Sequence, residues 1–76
     1  MAEMKALTEI IAGLDLVSDM AAYDPEKTFR DNGIDSLDVM SVFLAVEEYF
    51  GIKFPEEEAL QINTPTQLLN AINARN

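Results

Sequence analysis

The segment from residue 35 to residue 51 constrains the fold of this chain more than any other part of the sequence. Asp35 and Ser36 are residue types whose side chains accept hydrogen bonds from the free N–H groups of a first helical turn. Gly51 is the type that most easily takes the left-handed conformation after a last turn. No glycine or proline interrupts the residues between them. The segment therefore predicts one helix that starts at Asp35 or Ser36 and ends at Phe50.

The apolar residues of this predicted helix lie on two faces. At about 100° per residue, one stripe is wide enough to pack against a core. The core stripe consists of Val39, Val42, Phe43, Val46 and Phe50. A narrower strip lies on the flank of the helix, beside Ser41, Glu47 and Glu48. If the helix packs against the core on one side only, this strip has no structural role. This flank strip consists of Leu37, Met40 and Leu44. We expect it to be a docking face, although single exposed apolar residues need no such explanation.

The residues before this helix predict another helix and then a long loop. Apolar residues recur at three- and four-residue steps over residues 3–13, which predicts an amphipathic helix. The period disappears over residues 15–34. A loop of this length is uncommon in a small domain unless it contains a short helical turn or shapes a functional site. Leu16, Val17 and Phe29 are expected to hold it against the core.

Two more helices are predicted in the last third of the chain. Pro55 precedes three consecutive glutamates and favours a short helix that ends near Ile62. Thr64 and Gln67 form a capping box, with Pro65 at the first helical position. We therefore expect an all-α fold, a four-helix bundle of three longer helices and one short helix with a long first loop.

Length and composition limit the chemistry that the chain can perform. Its 76 residues are expected to form one domain, residues 1–76, with a small core. It contains no cysteine and no histidine, which excludes disulfides, thiolate nucleophiles and catalytic triads with an imidazole base. Asp31, Asp35 and Asp38 lack the spacing of a calcium-binding loop, and we predict no metal site.

The charge of the chain points to proteins as partners. Its 14 acidic and 5 basic residues give a net charge of −9. Such a surface repels the phosphates of nucleic acids and attracts basic patches on proteins. No apolar run approaches the roughly 18 residues of a membrane span, and the first residues lack the features of an export signal. We expect a cytoplasmic monomer that does not bind nucleic acid and has no membrane span.

The residues around Ser36 resemble the attachment motif of the acyl carrier protein family. The motif is Asp35, Ser36 and Leu37 at the start of a helix, shortly after Gly33. The resemblance extends over residues 7–72. It also rests on Phe29, on the run Ala45-Val46-Glu47-Glu48-Tyr49-Phe50, on Phe54-Pro55 and on Thr64-Pro65.

The resemblance implies a function as a carrier and not as an enzyme. A phosphopantetheinyl transferase would move a 4′-phosphopantetheine arm from coenzyme A to the hydroxyl of Ser36, with Asp35 and Leu37 at the attachment site. The thiol of the arm would then hold acyl groups as thioesters for fatty-acid or related acyl-processing enzymes. Because the chain has no histidine to activate Ser36, activation is expected to come from the transferase.

The resemblance also implies a docking surface for acyl-processing enzymes that carry basic patches. The predicted surface consists of Leu37, Asp38, Met40, Ser41, Leu44, Glu47 and Glu48. Met40 and Ser41 stand in a part of the helix where an additional acidic residue is common in the general fatty-acid carriers of the family. Because charge sets encounter rate and partner choice, this less acidic face predicts specialised partner enzymes. Asn32 replaces the usual leucine before Gly33 and predicts a change in how the first loop packs.

Two alternatives remain open from the sequence. The cargo of the arm could be a polyketide, aminoacyl or peptidyl group, although Asp35 before the serine favours fatty or related acyl groups. In the second alternative Ser36 only caps the helix, and the chain is an acidic helical interaction module that never receives an arm.

Overall fold

The computed structural model of this chain describes residues 2–75. The four α-helices are α1 (Met4–Gly13), α2 (Ser36–Phe50), α3 (Glu56–Ala59) and α4 (Pro65–Arg75). α1 packs against both α2 and α4. The described residues contain no strand, so the predicted all-α bundle of three longer helices and one short helix is confirmed. None of these helices is both long enough and apolar enough to cross a membrane.

The two ends of α2 are held by the residues that the sequence indicated. The Asp35 side chain accepts a hydrogen bond from the backbone N–H of Asp38 at 2.9 Å, and α2 begins at Ser36. Gly51 takes the left-handed conformation, with φ of 68°, and its N–H donates to the carbonyl of Glu47. Asp35 is therefore the N-cap, and the hydroxyl of Ser36 is not needed for capping.

α3 is shorter than predicted. It ends at Ala59, three residues before the expected end at Ile62. The chain continues in tighter turns, in which the N–H of Gln61 donates to the carbonyl of Glu58 and the N–H of Ile62 donates to that of Ala59. Bonds between residues three apart are typical of a helix end that tightens into 3-10 geometry. The apolar pattern alone does not show where this tightening begins.

α4 begins at Pro65, as predicted. The Thr64 hydroxyl accepts a hydrogen bond from the N–H of Gln67 at 3.0 Å. The Gln67 side chain reaches back one residue further than a capping box requires, because it accepts from the N–H of Asn63 at 2.7 Å. The same Asn63 accepts from the N–H of Phe29 at 3.0 Å, so the start of α4 is tied to the first loop.

The core lies between all the longer helices. It consists of the buried residues Leu7, Ile11, Phe29, Ile34, Val42, Phe43, Val46, Ile62, Leu68 and Ile72. Along α2, the central residues of the core stripe, Val42, Phe43 and Val46, are buried, whereas Val39 and Phe50 at its two ends are partly buried against the core. Burial of these apolar side chains is the main stabilising contribution to such a fold.

The first loop contains a short helical turn and is pinned to the rest of the molecule. A 3-10 helix spans Met20–Ala22. Phe29 is only 3% exposed, and Leu16 and Val17 are partly buried against the core, as expected. Asn32 is buried, and its side-chain amide bonds to the backbone on the other side of the loop. The loop is therefore ordered by specific contacts on its inner side.

Candidate functional site

Ser36 is exposed where the chain leaves the core and enters α2. Ile34, two residues earlier, is 1% exposed and donates its N–H to the carbonyl of Phe29 at 2.9 Å. Gly33, immediately before Ile34, has a positive φ of 84°, a conformation that glycine adopts without steric cost. The buried Ile34 and the N-cap Asp35 thus fix the backbone on both sides of an outward-facing serine.

The start of α2 suits a covalently attached anion. Neither the N–H of Ser36 nor that of Leu37 has a backbone or side-chain acceptor within residues 2–75. Free N–H groups and the helix dipole at this end favour negative charge such as that of a phosphodiester. No three acidic side chains in the described part of the chain lie close enough together to hold a metal ion. The residues present fit a phosphate ester on Ser36.

A groove of about 1030 Å³ opens beside Ser36, between α2 and the segment that contains α3. Its walls are largely apolar and include Phe29, Ile34, Val39, Phe43, Phe54 and Ile62. Ser36, Thr28, Arg30 and Asn63 also line it and add polar groups. This volume is comparable with that of small-molecule sites in proteins. An apolar group attached to Ser36 through a flexible arm would have space beside the attachment point.

The flank strip of α2 is exposed and lies on the rim of the same groove. The exposed fractions are 76% for Leu37, 62% for Met40 and 64% for Leu44. Leu60, directly after α3, is also 76% exposed and lines the same groove. The sequence did not single out Leu60, because a helix of one turn is too short for a periodic pattern to assign its faces.

The polar residues of the predicted docking surface differ in their surroundings. The Glu47 carboxylate is partly buried and accepts a hydrogen bond from the N–H of Phe54 at 2.7 Å. Asp38 is also partly buried, whereas Ser41 and Glu48 are exposed. Glu47 therefore connects α2 to the segment before α3, and Glu48 is the glutamate of this pair whose carboxylate is exposed to a partner.

Residues 5–72 match the family model described as "Phosphopantetheine attachment site". Over 75 residues the chain is 39% identical to the anthracycline acyl carrier protein DauA of Streptomyces sp. (strain C5), an alignment that covers 99% of this chain and 88% of that protein. It is 38% identical over 64 residues to an acyl carrier protein of Thermosynechococcus vestitus, covering 76% and 79% of the two chains. An acyl carrier protein of Micrococcus luteus is 35% identical over 77 residues, covering 92% and 95%.

Proposed function

Because the chain belongs to the acyl carrier protein family, we propose that Ser36 is the residue that bears its 4′-phosphopantetheine arm. Members of this family are carriers and not catalysts, and they are substrates of a phosphopantetheinyl transferase. When bound, the arm supplies a thiol that holds acyl groups as thioesters. The chain's own contribution is to present the serine and to offer surfaces for the enzymes that act on the cargo.

The exposure of the Ser36 hydroxyl at the first residue of α2 is the observation that carries this proposal. Asp35 makes the capping hydrogen bond, so modification of Ser36 costs the helix no cap. The chain contains two other serines, Ser18 and Ser41, and neither lies at the start of an α-helix. These features also oppose the alternative in which Ser36 serves only as the cap.

The test is transfer of the arm in vitro. The purified protein is incubated with coenzyme A, magnesium and a broad-specificity transferase, and its intact mass is measured. We expect the mass of one arm to be added to the wild type and to Ser41→Ala, and no gain on Ser36→Ala. Ser41 is the matched control because it is an exposed serine on the same helix. An equal gain on Ser36→Ala would place the arm elsewhere.

We further propose that the docking surface combines the predicted residues of α2 with Leu60. Three exposed apolar residues of α2 and Leu60, which directly follows α3, line the groove beside Ser36. An apolar centre with an exposed glutamate at its edge fits an enzyme surface that has an apolar contact and a basic rim. A monomer is part of this proposal, since a dimer through the same residues would cover them.

We also propose a specialised set of partner enzymes. Two anthracycline acyl carrier proteins from Streptomyces align with 99% of this chain, at 39% and 37% identity. Met40 and Ser41 leave the middle of α2 without an exposed acid. The loaded protein should therefore be a poorer substrate for the host's general fatty-acid enzymes than the resident general carrier. Equal turnover of the two carriers would contradict this proposal and favour general fatty-acid cargo.

A further inference from the structure

Arg30 is the one basic residue among those that line the groove beside Ser36 in the described part of the chain. It is exposed, and within residues 2–75 no carboxylate lies within 4.0 Å of its guanidinium. Arg75, by contrast, is paired with Glu58. In a chain of net charge −9, an arginine that lines the groove beside the candidate attachment site and has no internal ion pair within residues 2–75 is available to an external anion.

The backbone of Arg30 is held firmly although its side chain is exposed. Its carbonyl accepts a hydrogen bond from the N–H of Gly33 at 2.9 Å. The preceding residue, Phe29, is buried, donates to the carbonyl of Asn63 and accepts from the N–H of Ile34. The position from which the guanidinium extends is therefore fixed relative to the start of α2.

The charges around Ser36 give this arginine a role once an arm is attached. Asp31 and Asp35 are exposed acids on either side of the turn that leads to Ser36. A phosphodiester on Ser36 would add another negative charge at this place. The guanidinium is planar, always charged and able to donate two parallel hydrogen bonds to an oxyanion. It is thus chemically suited to offset the charge that modification brings.

We propose that Arg30 binds an oxyanion carried by the loaded arm. This proposal rests on attachment at Ser36. Two sources supply the same chemistry: the phosphodiester next to Ser36, and the terminal carboxylate of a malonyl-type cargo that lies in the groove. Both place a singly charged oxyanion on the side of the molecule where Arg30 lines the groove.

The experiment compares three mass-verified forms of the protein: with the bare arm, with an acetyl group and with a malonyl group. The ³¹P resonance of the arm and the Nε–H resonance of Arg30 are recorded for each form. The variants are Arg30→Gln and the matched control Lys27→Gln. Lys27 is an exposed base of the same loop that does not line the groove, so its replacement removes the same charge at a different place.

The protein without an arm is the reference. Relative to it, we expect the Arg30 Nε–H resonance to shift and the proton to exchange severalfold more slowly with water in at least one of the three forms. A change already present with the bare arm or the acetyl group identifies the phosphodiester, and a change present only with malonyl identifies the carboxylate. In either case Arg30→Gln should alter the corresponding arm or cargo resonances, and Lys27→Gln should leave them as in the wild type.

Two failures are distinguishable. If no arm is found on Ser36 by mass, both the proposed function and the role of Arg30 are refuted. If the arm is present and the Arg30 resonance does not respond in any of the three forms, the carrier function stands and only the oxyanion contact is refuted. An equal effect of Lys27→Gln and Arg30→Gln would reduce the role of Arg30 to net charge and would also overturn the proposal.

Discussion

The guanidinium of Arg75, at the end of α4, lies 4.5 Å from the centre of the Phe54 ring. The same side chain pairs with Glu58 of α3 and donates a hydrogen bond to the carbonyl of Lys53 at 3.1 Å. Phe54 in turn contacts the ring of Phe43 edge to face, with 5.5 Å between the ring centres. Both phenylalanines line the groove, so one arginine connects the last helix to the short helix and to the groove wall.

Replacement of Arg75 by glutamine should loosen α3. The substitution removes the cation over the Phe54 ring and the partner of Glu58. Because α3 is a helix of one turn with no buried residue of its own, contacts with neighbours must hold it in place. We expect severalfold faster amide exchange at Ala59 and Leu60 and a lower urea midpoint. Lys53→Gln is the control, since its backbone carbonyl remains available to Arg75.

The same contact should make stability depend on acid. The hydrogen bond from Arg75 holds the pKa of Glu58 below its ordinary value of 4.5. A carboxyl whose folded pKa is lowered stabilises the protein above the ordinary value, and that contribution disappears as the pH falls through the lower, folded pKa. The difference in urea midpoint between the wild type and Glu58→Gln should therefore be largest near neutral pH and vanish in acid. An NMR titration of Glu58 that gives 4.5 or more would refute this.

Asn32 should be hard to replace by the leucine that the family usually has there. Its side-chain amide accepts from the N–H of Asp24 at 2.8 Å and donates to the carbonyl of the same residue at 2.8 Å. It also donates to the carbonyl of Thr28 at 3.0 Å. Asn32→Leu leaves these partly buried backbone groups without their partner, which costs about 1–3 kcal/mol for a buried group.

Urea unfolding of Asn32→Leu measures this effect. Asn32→Asp separates the contribution of the hydrogen bond that the Asn32 amide accepts from that of the bonds it donates. The aspartate keeps an acceptor for the N–H of Asp24 but loses the two donors and brings a carboxylate towards backbone carbonyls. It should therefore be at least as destabilising as leucine at neutral pH. If Asn32→Leu is as stable as the wild type, apolar packing replaces the amide contacts, and this explanation of the loop is wrong.

The bounds of α2 were predictable because both of its ends are determined by adjacent residues. Asp35 bonds to an N–H three residues away, and Gly51 turns the chain by its own conformation. The flank strip was also predictable from local sequence, because the apolar pattern of a 15-residue helix separates its core face from its outer face. The end of α3 was not, because the hydrogen bonds after Ala59 join residues three apart, and the apolar pattern does not distinguish such turns from an α-helix.

Within the site, local placement was predictable and long-range pairing was not. The sequence indicated an exposed serine at a helix start, but not that Glu47 would bond to the N–H of Phe54, seven residues away in another segment. Leu60 and Arg30 join the groove only because the loop and α3 pack on the same side of α2. Asn32 was unusual by comparison with the family, yet its backbone partners required the folded loop.

Leu60 should contribute to the affinity of partner enzymes and little to the stability of the fold. At 76% exposure, its replacement by alanine removes almost no buried apolar area from the carrier. Removing an apolar contact at the centre of an interface mainly raises the dissociation rate. We expect Leu60→Ala to raise that rate severalfold for an acyl-processing enzyme, with an unchanged urea midpoint. An unchanged dissociation rate would remove α3 from the docking surface.

Charge at Glu48 should control how fast partners arrive. Because Glu47 holds the N–H of Phe54, a double substitution of the two glutamates would mix a structural effect with an electrostatic one. Glu48→Gln alone is the sharper test, since this side chain is exposed on α2. Its association rate with a basic partner, measured by stopped flow, should fall about twofold at low salt and match the wild type at high salt, where exposed charges are screened.

The control for this measurement is Glu9→Gln. Glu9 is an exposed acid of α1 that does not line the groove beside Ser36, and its replacement changes the net charge by the same amount. If docking depends on the face of α2, Glu9→Gln should alter the association rate less than Glu48→Gln does at low salt. Equal slowing by both variants would mean that partners respond to the net charge of −9 as a whole. The effect of Glu48 on the association rate would then no longer be evidence that partners dock at the flank strip of α2.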